Sequence, residues 1–209
     1  MMQQPAPAAP PPDNTRLLQL SDGVFAVAIT LLVVGLTTPD PHTTPPDKLV
    51  QAVRGQWPHF LSYLISFAVI GHYWSVHHRT FRYLKSHDAR LIWLNLLVLL
   101  SVSFLPYPTA LMGEYGQQPF AVGFYAVCMG VTSLSLNLLW LYARHDPELV
   151  YADVPAQMRR YHPWRGIVAM IIFFVSVPIA LLNPALAQGS WALIALVSPI
   201  VYRLTRDAG

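Results

Sequence analysis

Six long runs of apolar residues constrain this sequence more than any other feature. They cover residues 16–36, 53–77, 89–112, 120–143, 164–182 and 190–204, and only 11% of the chain is charged, against about a quarter in soluble domains. An α-helix rises about 1.5 Å per residue, so about 20 apolar residues cross a hydrocarbon core about 30 Å thick. The pattern predicts an all-α membrane protein with six transmembrane helices, forming one domain over residues 15–206.

The two ends of the chain differ from this domain in composition. Residues 1–14 are rich in Pro and Ala and contain no Lys or Arg, which predicts a disordered tail and not a secretory signal. Residues 207–209 form a short C-terminal tail after the last run.

Lysine and arginine are distributed unevenly between the connections. Eleven of the thirteen lie before the first run, in the second and fourth connections or after the last run, and the other three connections hold only Lys48 and Arg54. The positive-inside rule then places both termini in the cytoplasm and the chain in the cytoplasmic membrane. Because the basic residues flank apolar runs instead of sharing one face, we expect no nucleic-acid binding.

One acidic residue, Asp22, lies near the start of the first run. A charge inside the membrane is costly and is usually paired or functional. Arg16 lies well off its helical face, so we expect donors from neighbouring helices. The distance along the helix from Arg16 to Asp22 can be counted from the cytoplasmic ends of the next two runs. It reaches Trp74 and His77 on the second run and Asn95 on the third. The alternative is a carboxylate that reaches cytoplasmic water.

The first run has two apolar stripes that fit the helical period equally well. A wheel of 100° per residue aligns Val27, Leu31 and Val34, with Thr30 at the edge, and places Asp22 on the opposite side. A second stripe contains Phe25, Ile29, Leu32 and Leu36. Periodicity alone does not decide which stripe faces lipid, other helices or a pore.

Sequence signals of catalysis are weak. The cluster His72, His77 and His78 supplies too few ligands for a membrane di-iron site, and the single Cys128 cannot form a thiolate site. The chain has no G-x-x-x-x-G-K-[ST] loop and no G-x-S-x-G elbow. We therefore expect no enzyme activity, no catalytic residue, no metal and no cofactor.

Three segments carry a family resemblance. "RLLQLSDGVFAVAITLLVV" resembles the R-x-x-x-F-S-D signature on the first helix of the prokaryotic TMEM175 (DUF1211) potassium channel family, with Leu20 in place of the usual Phe. "YWSVHHRTFRYL", "LIWLNLLVLLSVSFLPYPTALMGEY" and the six-run layout are also similar to that family. The resemblance implies a homotetramer in the lipid bilayer, with four first helices around a central pore that conducts K⁺ passively and with weak selectivity.

The same resemblance assigns roles to single residues. It implies an apolar constriction, a layer of hydroxyl groups and a hydrogen-bond network with the second and third helices. The constriction consists of Val27, Leu31 and Val34, and the hydroxyl layer consists of Thr30. The network consists of Arg16, Ser21, Asp22, Trp74, His77 and Asn95. From the residues alone, a secondary transporter, a non-conducting membrane scaffold and an enzyme that uses the histidine cluster remain alternatives.

Overall fold

A computed structural model describes residues 13–152 and 156–194, with side chains for 14–152 and 166–194. The described residues form eight α-helices. They are α1 (Asp13–Leu31), α2 (Leu49–Gly55), α3 (Trp57–Arg82), α4 (Ala89–Phe104), α5 (Pro106–Tyr115), α6 (Pro119–His145), α7 (Ala156–Leu182) and α8 (Pro184–Ser190). Two short 3-10 helices, Leu32–Gly35 and Pro46–Lys48, follow α1 and precede α2.

Three helical stretches in the described chain are both long and apolar enough to cross a membrane: Asn14–Gly35, Ala89–Tyr115 and Pro119–His145. Helix α3 has 26 residues but includes His59, His72 and His77, which lower its hydropathy. The apolar part of α7, Gly166–Leu182, is shorter. The predicted sixth run lies mostly beyond residue 194, and so, like the tail at 207–209, it falls outside the described residues.

Helix boundaries differ from the predicted runs in two places. Helix α1 begins at Asp13, so Asp13 and Asn14 are helical although composition places them in the tail. The third run divides into α4 and α5 at Leu105, because Pro106 has no N–H to offer the Val102 carbonyl. That carbonyl accepts instead from Leu105 N at 3.1 Å, which closes a tight turn.

The connections after α3 and α6 lie side by side. Leu84 and Val150 form an isolated antiparallel bridge, in which Lys85 N donates to Leu149 O at 2.9 Å. Asn14, at the start of α1, donates to Leu84 O at 3.0 Å and contacts His87 Nδ1 at 2.7 Å. The start of α1 is therefore fastened to the paired connections.

Helix α6 forms the centre of the described fold, because it packs against α4, α5 and α7 and buries side chains along its whole length. Helix α1 lies at the edge, where it packs mainly against α3 and α4. One face of α1 thus belongs to the core, and the other face meets no other described element.

A candidate pore helix and its polar network

The two apolar stripes of α1 have different environments. Phe25 is only 1% exposed and packs in the core with Ala28 and Leu32. Val27 is 56% exposed and Val34 is 70% exposed. The fold thereby separates two stripes that periodicity could not distinguish, since the core takes Phe25 and Leu32 and leaves the stripe of Val27 uncovered.

The uncovered face borders an open groove of about 430 Å³ between α1 and α4. Its walls are mainly apolar, and a contiguous exposed apolar surface of this kind is typical of an interface or a membrane contact. The α1 side chains on the groove include Leu20, Val24, Val27 and Leu31, and Ser103 closes it from α4.

Thr30 lies exposed on α1, beside the uncovered stripe. Its hydroxyl donates to the Val27 carbonyl at 2.9 Å, a bond that leaves the oxygen lone pairs free. Threonine in a helix commonly bonds back in this way, which fixes its rotamer. Thr30 therefore presents an oriented oxygen acceptor in an otherwise apolar surface.

Val34 lies beyond the end of the α-helix, in the 3-10 helix Leu32–Gly35. The spacing of 100° per residue used to align it with Leu31 does not apply there. A 3-10 helix has three residues per turn, so side chains three apart eclipse each other. Val34 accordingly lies almost directly above Leu31, and the apolar column from Val27 to Val34 is about 12 Å long.

Ser21, Asn95 and His77 form a buried hydrogen-bonded chain that joins α1, α4 and α3. Asn95 Nδ2 donates to Ser21 Oγ at 3.0 Å, and Ser21 Oγ donates to Leu17 O at 2.9 Å. His77 Nε2 lies 2.8 Å from Asn95 Oδ1. Because Asn95 Oδ1 can only accept, His77 is protonated at Nε2, and its buried Nδ1 has no hydrogen-bond partner among the described residues.

Asp22 belongs to a second, separate contact. Trp74 Nε1 donates to Asp22 Oδ1 at 2.8 Å, which links α1 to α3 one turn away from His77. Asp22 is half-buried and Trp74 is 40% exposed, so the bond lies at the margin of the subunit. An indole N–H stabilises the carboxylate without adding a second charge.

Arg16 lies apart from this network among the described residues of one chain. It is exposed and makes no hydrogen bond or ion pair with any side chain among the described residues. The reason is geometric, because Arg16 is eleven residues before Val27 and so lies within about 20° of it on the helical wheel. Within one chain the Arg16 side chain therefore lies on the uncovered face, and its implied role in the network stays a prediction.

Two groups of polar contacts were missed by sequence reasoning. Asn14 lies in a segment that composition assigns to the tail, and no local signal marks its bonds to the connection after α3. A hydroxyl cluster between α3, α5 and α6 contains Thr109, which donates to Ser66 at 2.9 Å, and Tyr125, which lies 3.0 Å from Ser66. These residues are far apart in sequence, so only the fold brings them together.

A further missed residue has a recognisable signal. Asp88 stands directly before the third apolar run, the usual position of a helix N-cap. Its Oδ1 accepts from Leu91 N at 2.8 Å and its Oδ2 from the Tyr142 hydroxyl at 2.5 Å. The Tyr142 hydroxyl, followed by the Leu91 amide, holds the pKa of this carboxyl below its ordinary value.

Sequence comparisons agree with this architecture. The profile of the family described as endosomal/lysosomal potassium channel TMEM175 matches residues 16–106. A potassium channel of Streptomyces collinus is 33% identical over 188 residues, which are 88% of this chain and 90% of the relative. A potassium channel of Chamaesiphon minutus is 34% identical over 175 residues, which are 79% and 86% of the two chains.

Solved structures show the same fold. The crystal structure of a lysosomal potassium-selective channel TMEM175 homolog from Chamaesiphon minutus has a TM-score of 0.78 at 27% identity, covering 92% of this chain and 98% of that one. The fold and these comparisons define a helical membrane protein of the channel class. By its similarity to the Streptomyces relative along nearly its full length, the chain belongs to the TMEM175 family.

The vertebrate members are longer proteins. The endosomal/lysosomal proton channel TMEM175 of Gallus gallus is 26% identical over 158 residues, which are 75% of this chain but only 31% of that protein. This chain therefore corresponds to less than a third of the chicken protein.

Proposed function

We propose that this protein is a potassium channel of the cytoplasmic membrane, a homotetramer in which four copies of α1 surround a passive, weakly selective pore. Each subunit crosses the membrane six times and keeps both termini in the cytoplasm. The observation that carries the proposal is the uncovered face of α1, where Val27, Leu31 and Val34 stand exposed while Phe25 is buried. The bacterial relatives named potassium channels support K⁺ as the ion.

The apolar column supplies the barrier. Rings of Val27 and Leu31 around an axis would exclude water when narrow and admit ions when the helices move apart. K⁺ holds its hydration shell less tightly than Na⁺, so a throat that requires partial dehydration favours K⁺ modestly. The hydroxyl oxygens of Thr30, held by their bonds to Val27 O, would replace part of the shell beside the narrow region.

The buried network has a different role in this proposal. Ser21, Asn95 and His77 fix the back of α1 against α4 and α3, and Asp22 with Trp74 fixes its flank. A side chain can define a pore radius only if its helix cannot rotate freely. We therefore assign these residues to positioning and assembly instead of to ion contact.

A flux assay separates this proposal from its alternatives. In liposomes that hold a K⁺ gradient, a channel dissipates the gradient without any added solute. A secondary transporter needs a coupled solute, and a scaffold gives no flux. We expect solute-independent K⁺ flux that exceeds Na⁺ flux. Flux that depends on a second solute would overturn the proposal.

The substitution Val27→Leu tests the position of the constriction. The added methylene should narrow the throat, lower the K⁺ conductance and raise the preference for K⁺ over Na⁺. Val33→Leu is the matched control, because Val33 is also exposed and lies in the next turn but outside the column. Equal conductances for the wild type and Val27→Leu would show that Val27 does not form the narrowest part of the pore.

A further inference from the structure

A second open groove lies between α4 and α6, away from the candidate pore. It has a volume of about 650 Å³, and its walls are Leu94 of α4 with Leu138 and Leu141 of α6. Leu138 and Leu141 are both exposed, so the groove opens outward from the subunit. None of its lining residues belongs to α1.

Polar groups gather at one end of this groove. His145, Asp146 and the ring of Tyr142 line it there, at the end of α6. Arg90 is exposed and lies one turn before Leu94 on α4, so it shares the helix face that lines the groove. The cation of Arg90 and the carboxylates of Asp88 and Asp146 therefore lie near this end of the groove.

The anion at the mouth retains capacity for a ligand. Asp146 Oδ1 accepts the Glu148 amide at 2.8 Å, and its Oδ2 has no hydrogen-bond partner among the described residues. Asp88 is the other carboxylate nearby, but it already accepts from Tyr142 and Leu91. Asp146 is thus the carboxylate with room for an additional donor.

The depth of the groove matches the cytoplasmic leaflet. His145 is seven residues beyond Leu138, so the groove runs about 10 Å along α6 from its charged mouth into the apolar region. In the orientation proposed above, this mouth lies at the headgroup level. Basic pockets between transmembrane helices on the cytoplasmic side bind the phosphates of lipid headgroups.

We propose that this groove binds a phospholipid with an amine-bearing headgroup. An acyl chain lies against Leu94, Leu138 and Leu141, the phosphate is bound by Arg90, and the ammonium is bound by Asp146. Charge complementarity selects this occupant, because a purely anionic headgroup would leave Asp146 beside a negative charge. The site does not require that the protein conduct ions.

Native mass spectrometry of the purified protein with equal amounts of phosphatidylethanolamine and phosphatidylglycerol tests the site. We expect the wild type to retain phosphatidylethanolamine preferentially. A lost charge-assisted hydrogen bond costs about 1.5–3 kcal/mol, so Arg90→Gln should bind either lipid about tenfold more weakly or worse. Asp146→Asn should remove the preference between them. Arg82→Gln is the control for charge, since Arg82 is also exposed beyond the groove.

Leu138→Trp should fill the groove and abolish the lipid adduct. Leu100→Trp, at another exposed leucine, on α4, controls for added bulk. An unchanged adduct in Leu138→Trp, or preferred retention of phosphatidylglycerol by the wild type, would overturn the proposal. A changed subunit number in Leu138→Trp would show instead that a second copy covers the groove. If Leu138→Trp does not fold, the two charge variants decide the result.

Discussion

Individual polar residues define how α1 is held in this protein. A half-buried carboxylate such as Asp22 is stable only if its lost hydration is replaced, and the Trp74 indole does this at 2.8 Å. The neighbouring Ser21–Asn95–His77 chain is fully buried, and each hydrogen bond along it joins one donor to one acceptor. The buried chain and the Asp22–Trp74 bond thus connect α1 to α3 and α4 at defined points.

Removing the indole donor should destabilise the protein. We expect Trp74→Phe to lower the free energy of unfolding by about 1–3 kcal/mol, the usual cost of leaving a polar group without its hydrogen-bond partner. Thermal unfolding in detergent measures this effect. Trp93→Phe, at an indole that is 72% exposed, should be nearly neutral. In a double-mutant cycle with Asp22→Asn the two changes should not add, and full additivity would rule out the pair as an energetic unit.

A pH effect is expected at Asp88. Its folded pKa is below its unfolded value of about 3.9, so its charge stabilises the fold above that pH. This stabilisation is lost as the pH falls through the folded pKa. Tyr142→Phe removes the main cause of the shift, so its stability should depend less on pH in the acid range. Tyr151→Phe, at an exposed tyrosine, is the control; identical acid unfolding curves for Tyr142→Phe and wild type would contradict the assignment.

The sequence predicted part of this residue-level picture. Axial counting placed Trp74, His77 and Asn95 at the depth of the R-x-x-x-F-S-D-like segment, because helix rise is nearly constant. It could not place Arg16, whose rotation about the helix matters more than its depth. Asn14 was missed because its partners are a backbone carbonyl and a side chain in a distant connection.

At the scale of helices, α3 and α5 approach each other unusually closely. A Cβ atom at Gly113 would lie 3.0 Å from His59 Cδ2 and 3.4 Å from His59 Cα. The contact with Cα is near ordinary van der Waals distance, so the strain falls on the His59 ring, which would have to shift by a few tenths of an ångström. Packing therefore favours glycine at position 113 of this crossing, close to the 3-10 end of α1.

Two glycine substitutions should change stability in opposite directions. Gly71 in α3 has open space around its Cβ position, so Gly71→Ala should gain up to about 1 kcal/mol from helix propensity. Gly113→Ala should instead lose about 1–3 kcal/mol through overpacking. Thermal unfolding of both variants provides the comparison. Stabilisation by Gly113→Ala would mean that α3 and α5 pack more loosely at this crossing.

Helix boundaries were predictable where composition changes and unpredictable where it does not. The third run is apolar on both sides of Leu105, so only Pro106 and Pro108 indicated a kink or a helix end. The ends of α6, by contrast, lie within two residues of the fourth run, because turn-forming or charged residues flank it. The 3-10 ending of α1 had no clear signal.

For the whole molecule, the proposed assembly makes a distinct prediction about water access. In a Cys128→Ser background, Val27→Cys and Leu31→Cys should react with a water-soluble thiol reagent, and Phe25→Cys should not. K⁺ flux inhibition after labelling provides a second readout. Subunit counting by native mass spectrometry should give a tetramer. A monomer, or labelling of Phe25→Cys alone, would exclude the proposed pore.

The all-α class and the family were predictable from the sequence, since both depend on long apolar runs and a local motif. Periodicity alone did not choose the exposed stripe, because α1 is apolar nearly all round. The family resemblance chose it, and contacts with α3 and α4 distinguish the two faces in the fold. The outward groove between α4 and α6 was equally hidden, since its lining comes from residues more than 40 positions apart.

The tight winding at the end of α1 has a mechanical consequence. Conversion of Leu32–Gly35 from 3-10 to α geometry would shorten that segment by about 2 Å, since the rise falls from about 2.0 to 1.5 Å per residue. It would also turn Val34 by about 60° relative to Leu31, because each residue would rotate 100° instead of 120°. A local rewinding of four residues would thus turn the methyl groups of Val34 away from the proposed pore axis while the rest of the helix stays in place.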